Sequence, residues 1–195
     1  IPFAKPPVGD LRWKAPRELD SYPDKFKATT LPNRCMQVSN FYDSMDGIEG
    51  ESIIGSEDCL YLNIYLSEKA YKSKEKLPVV FWIHGGGNTW GYSASNIFTS
   101  GDFILDHDVI LVTTNYRLGP FGWFAYSGLN QDSENPLDST ANFGTLDIIK
   151  SLEWVNKYIS FFNGDPENIT IFGESAGARN VISLMSSPLS KDLFQ

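Results

Sequence analysis

Ile169-Thr-Ile-Phe-Gly-Glu-Ser-Ala-Gly177 decides how this chain is read. The β-branched and aromatic residues Ile169 to Phe172 form a short apolar run of the kind that makes a buried strand. It passes into Gly173-Glu-Ser-Ala-Gly177, a G-x-S-x-G pattern, and then into a helix-like stretch from Ala178 to Met185. A serine on a sharp strand-to-helix turn has strained backbone angles, and only small residues two positions either side avoid a clash. The turn lifts the hydroxyl clear of the sheet, and the helix N-terminus behind it offers free N–H groups and a positive dipole end. Ser175 is therefore the candidate nucleophile. The same five residues also occur by chance as a plain turn, so the surroundings have to decide.

Upstream, Leu146, Ile149, Leu152, Val155, Ile159 and Phe162 recur at three- and four-residue steps, which predicts a helix from Phe143 to about Phe161. Asn142 is placed to cap it, and Asn163-Gly-Asp-Pro166 to stop it. Val109–Thr114 and Leu77–Ile83 are nearly continuous apolar runs, the mark of strands buried on both faces. Leu60–Leu66 alternates and reads as a further strand, and Phe103–His107 as the end of a short helix. A long polar, glycine-rich loop runs from Pro120 to Asp138. The opening, with Pro2, Pro6, Pro7, Pro16 and, just beyond, Pro23, reads as an extended lead-in over the surface. Buried strands alternating with a long helix imply an α/β fold with a mostly parallel, doubly wound sheet.

Leu77–Ile83 ends in His84-Gly-Gly-Gly87, so two motifs each follow a buried strand. In a parallel sheet both loops then lie at the carboxyl ends of strands, where active sites of this architecture collect. Acyl transfer creates an oxyanion that needs donors aimed at it. Glycines let backbone N–H groups approach that oxygen without a side chain in the way. Gly86 and Gly87, with the N–H of Ala176, are the candidate oxyanion hole.

With 195 residues, 42% hydrophobic and 21% charged, the chain can bury a core. Its net charge of −8 argues against nucleic acid or an anionic membrane as partner. No apolar run is long enough to span a membrane. The two cysteines, Cys35 and Cys59, show no C-x-x-C spacing and no neighbouring His, so no metal site is expected. Their spacing allows either a disulfide closing a loop-like stretch or two unpaired buried thiols.

Glu57-Asp-Cys-Leu-Tyr-Leu-Asn-Ile64, His84-Gly-Gly-Gly87 and Phe172-Gly-Glu-Ser-Ala-Gly177 resemble the three markers of the type-B carboxylesterases, the carboxylesterase/cholinesterase family. The lead-in Ile1–Gly9 with Leu11-Arg-Trp13, Asn115-Tyr-Arg-Leu-Gly119 and Phe161–Pro166 are similar to that family too, in its order, so the resemblance covers nearly all of 1–195. It implies part of one α/β-hydrolase domain, and an ester hydrolase acting through an acyl-serine on a small carboxylic ester, without cofactor. It also implies that Cys35 and Cys59 pair, which favours a secreted or periplasmic setting over the cytoplasm. The chain departs from the pattern at Asn88, where many relatives carry an aromatic residue lining the acyl pocket. It departs again at Arg179-Asn180, where small residues are usual, and at Asn163, where glycine is common. The Cys35–Cys59 loop has no Trp, and Phe41 and Tyr42 are its only aromatics. This argues against a choline-ester specialist, which would hold its ammonium there by cation–π attraction.

A serine needs a base, and the base an orienting acid. In α/β-hydrolases both follow the serine, yet Ser175 to Gln195 contains no His and, beyond the nucleophile, only Asp192 as a carboxylate. His84 belongs to the glycine loop and His107, in Asp106-His-Asp108, reads as a solvated turn. The chain is thus expected to be the N-terminal half of a longer enzyme. Glu174 is expected to brace the elbow through buried hydrogen bonds, and the sequon Asn168-Ile-Thr170 to be unused because it opens a core strand. The alternative is a non-catalytic adhesion or binding protein on the same fold; such relatives typically lack the nucleophile, whereas Ser175 is intact.

Overall fold

The computed structural model of the chain describes residues 1–22, 26–48, 50–73, 75–95 and 107–195. In chain order its strands are β1 (Gln37–Val38), β2 (Ile53–Ile54), β3 (Leu62–Tyr65), β4 (Leu77–Ile83), β5 (Ile110–Thr114) and β6 (Gly164–Gly173). The helices are α1 (Glu68–Lys72), α2 (Gly119–Gly122), α3 (Phe143–Tyr158) and α4 (Ala176–Ser186).

β4 is central. It runs parallel to β5 on one side and to β6 on the other, and β3 pairs antiparallel with the outer side of β5. One face of these strands carries the fully buried Val79, Ile83, Ile110, Val112 and Ile169, packed with the α3 residues Ile148, Leu152 and Val155. Burying each such aliphatic side chain contributes about 2 kcal/mol. Trp82 and Leu111 point the other way, with Tyr65 and Val80 packed against them and the Phe172 ring 4.9 Å from Trp82. The apolar runs of β4 and β5 are continuous because both faces are covered. Among the described residues, α3 and α4 touch each other and β6, and so lie on one face.

Several boundaries differ from expectation. β6 begins at Gly164 rather than Ile169, since Leu77 pairs with Gly164 and Val79 with Ile169 across an irregularity. Pro78, between them, has no N–H to give the ladder. The expected β3 shortens to Leu62–Tyr65. Asn142 takes the N-cap position of α3, but its side chain caps nothing; only its carbonyl receives the Leu146 N–H, at 2.9 Å. α3 stops at Tyr158 and tightens into a 3₁₀ turn, Ile159–Phe162. Asn163 then adopts a left-handed φ of 64°. Asparagine tolerates that region, which accounts for a non-glycine here. Its amide donates to the carbonyls of Ala70, Tyr71 and Ser73, closing the end of α1. Asn168 and Thr170 of the sequon lie inside β6 with exposed side chains, not in the core. The helix expected at 103–107 falls, apart from His107, outside the described residues.

β4 ends at Ile83, level with Gly173 of β6 and Thr114 of β5, so three loops leave the sheet at one rim. The loop after β5 is anchored by a buried ion pair. Arg117 donates through Nε and Nη2 to the two carboxylate oxygens of Asp147 at 2.8 and 2.7 Å, and its backbone N–H adds a third bond. Both side chains are almost wholly buried. Removing one partner strands the other charge in the core, so Asp147→Ala is expected to lower unfolding free energy by about 3–5 kcal/mol in a denaturant titration.

Candidate active site

The elbow is strained where the sequence requires it. Ser175 has φ 54° and ψ −117°, a left-handed φ held by a non-glycine between the end of β6 and the start of α4. Space dictates its neighbours. A Cβ on Gly177 would lie 2.0 Å from the Ile83 carbonyl oxygen, and one on Gly173 would lie 2.5 Å from the carbonyl carbon of Gly177. α4 therefore starts directly against the end of β4, leaving the Ser175 side chain exposed at the rim.

The glycine loop adjoins the elbow. A Cβ on Gly85 would sit 3.1 Å from Ser175 Cβ and 2.5 Å from Glu174 Oε2, so only glycine permits the approach. Gly86, Gly87 and Asn88 follow with φ of 93°, 63° and 60°, a left-handed run. Gly86 O accepts the N–H groups of Thr89 and Trp90 at 3.0 and 3.1 Å, closing the loop on itself. Among the described residues the N–H groups of Gly86, Gly87 and Ala176 donate to no protein acceptor. The fold thus brings together Ser175, Gly86, Gly87 and Ala176, from loops about 90 residues apart in sequence.

His84 is buried, with its ring stacked on Tyr116 at 4.4 Å and Nδ1 2.9 Å from Gly85 O. A Cβ on Gly91 would lie 2.2 Å from that nitrogen, so the ring is boxed in. Burial lowers its pKa to about 4, against a smaller opposing effect of the Gly85 carbonyl. His84 is therefore a neutral packing residue. His107 is exposed just before β5, at the end of the sheet opposite the one that carries Ser175. Neither histidine faces the serine. The buried brace expected of Glu174 is not seen: Glu174 is exposed, and its carboxylate accepts no hydrogen bond from the described residues.

Cys35 and Cys59 form a disulfide with Cα atoms 5.0 Å apart, both residues buried. The loop they close holds the short β1–β2 pair and a 3₁₀ segment, Phe41–Asp46. It is tied to the site by Gln37, whose Oε1 accepts the Gly91 N–H while Nε2 donates to Gly91 O, each at 2.9 Å. Sequence reasoning missed this tie and the role of Tyr116, whose hydroxyl donates to His84 O at 2.7 Å. Tyr116 stands two residues beyond the β5 run, and nothing local in the sequence shows that partner.

A mixed, mostly parallel sheet with a serine elbow beside a glycine loop is part of an α/β-hydrolase fold. The carboxylesterase family model matches residues 1–195, and the chain belongs to the carboxylesterase family. It is 40% identical to para-nitrobenzyl esterase of Bacillus subtilis (strain 168) over 195 residues, covering all of this chain and 37% of that protein. It is 41% identical over 197 residues to cocaine esterase of Oryctolagus cuniculus, covering all of this chain and 35% of the other. A solved thermophilic PNB esterase superposes with a TM-score of 0.85 at 39% identity, covering the whole chain and 38% of that structure. The chain spans little more than a third of the length of these relatives.

The state of His84 can be checked. Its folded pKa lies below the unfolded value of 6.5, so as pH falls from 6.5 towards about 4 the unfolded chain binds a proton that the folded one refuses. About 3 kcal/mol of stability is lost across that window from this group. The His84 ring resonances are expected to titrate near pH 4 by NMR; titration near 6.5 would mean a hydrated imidazole.

Proposed function

We propose that this chain carries the nucleophile and oxyanion hole of a serine carboxylic-ester hydrolase. The observation behind it is Ser175, held at φ 54° between β6 and α4 with the Gly85 backbone against it. Ser175 Oγ attacks the ester carbonyl carbon as its proton passes to a histidine base. The carbonyl oxygen becomes an oxyanion facing the free N–H groups of Gly86, Gly87 and Ala176, each such donor contributing about 3 kcal/mol to the transition state. The tetrahedral adduct collapses, the protonated alcohol leaves, and water then releases the acid from the acyl-serine.

Neither His84 nor His107 can serve as base, so on this reading the histidine and its acid lie in sequence outside these residues. Relatives almost three times as long are in keeping with that. So are the exposed apolar side chains of Phe161, Ile182 and Met185 on and beside the α3–α4 face, a surface fit to be covered. The names of relatives include para-nitrobenzyl and cocaine esterase, so a broad carboxylic-ester substrate class is the reading for this site. The disulfide favours an oxidising compartment.

In the full-length protein, Ser175→Ala is expected to cut p-nitrophenyl butyrate hydrolysis by roughly 10⁴-fold or more and to abolish labelling by an organophosphate. Activity surviving that substitution would refute the assignment. The 195-residue chain alone, without a base, should turn over the same ester at a small fraction of the full rate.

A further inference from the structure

Asn88 and Asn180 are 92 residues apart in sequence and meet in the fold. Asn180 Nδ2 donates to Asn88 Oδ1 at 3.0 Å, and Asn88 Nδ2 reaches Asn180 Oδ1 at 3.5 Å. The Tyr116 hydroxyl, which bonds His84 O at 2.7 Å, lies 3.3 Å from the same Asn88 oxygen. Asn180 is 4% exposed, within α4. An asparagine inside a helix is a poor helix former, and when buried it needs partners. Asn88 supplies them.

The position of the pair gives it significance. Asn88 directly follows Gly86 and Gly87 and completes their left-handed run, at φ 60°. Asn180 lies one turn into α4, the helix that directly follows Ser175. A run of left-handed glycines is intrinsically loose, since glycine restrains its own backbone least of all residues. Its N–H groups help only if they point where charge develops, and a misplacement of about 1 Å costs up to 100-fold in rate. The geometry points to a positioning role: the Asn88–Asn180 amide pair clasps the glycine loop to the nucleophile helix and holds the Gly86 and Gly87 donors in register with Ser175. The inference rests on the serine-hydrolase reading above.

The test is a double-mutant cycle in the full-length protein with p-nitrophenyl butyrate. Asn88→Gly keeps the left-handed backbone while removing the amide, and Asn180→Ala keeps the helix. Each single variant is expected to lower kcat roughly 10- to 100-fold with KM within about threefold, and to weaken a trifluoromethyl-ketone inhibitor in parallel. The double variant is expected to be no slower than the worse single one, as for residues acting as a unit. Organophosphate titration should still count one reactive serine per folded chain in every variant. Variants that retain wild-type kcat, losses that multiply in the double variant, or a change confined to KM would overturn the clasp while leaving the hydrolase reading intact. If a single variant fails to fold, Asn180→Ser, which leaves a small polar group, gives the same comparison. A wild-type protein neither labelled at Ser175 nor active on esters would instead overturn the hydrolase reading, and the clasp with it.

Discussion

Among the described glycines, the closest approach is between two backbones, Gly177 in the first turn of α4 and the Ile83 carbonyl at the end of β4. No side chain fits between them. Because the helix must start there, the chain has to reverse sharply after Gly173, and the left-handed backbone of Ser175 is the cost of that reversal. The same approach sets Gly85 against Ser175, so the glycine loop and the elbow share one packing problem. Strain at the serine persists because the sheet beneath it over-determines the turn.

That sheet is stiffened around the rim by polar ties, each reaching a loop that leaves a strand end. Arg117 and Asp147 fix the loop after β5 to α3, and Gln37 holds the disulfide loop to Gly91. Tyr116 spans from the β5 loop to the His84 carbonyl. Buried polar groups are costly unless satisfied, so a set of this kind specifies one arrangement of loops more sharply than apolar packing can. The hydrophobic core positions the strands; the polar ties position what extends beyond them.

Much of this was legible in the sequence, for identifiable reasons. β4 and β5 read as continuous apolar runs because both faces are covered, and α3 showed its buried stripe at helical spacing. The elbow glycines were legible because sterics leave no substitute. What escaped depends on distant partners. The early start of β6 arises from pairing with Leu77, and nothing in Gly164–Asn168 shows it locally. Asn163 and Asn180 stood out only as deviations, since the carbonyls of α1 and the amide of Asn88 that explain them lie some 90 residues away. Glu174 misled because its place beside the nucleophile suggests buried partners, and none of the described residues supplies one.

The disulfide has a consequence for how this surface meets proteases. The stretch between Cys35 and Cys59 exposes Phe41 and Ile53, side chains that many endopeptidases accept. A cut there would sever the main chain while the sulfur bridge kept the two ends joined, with Gln37 still fastened to Gly91 on the amino-terminal side of the nick. The nicked protein would migrate as one species until reduced, and its glycine loop would keep its anchor.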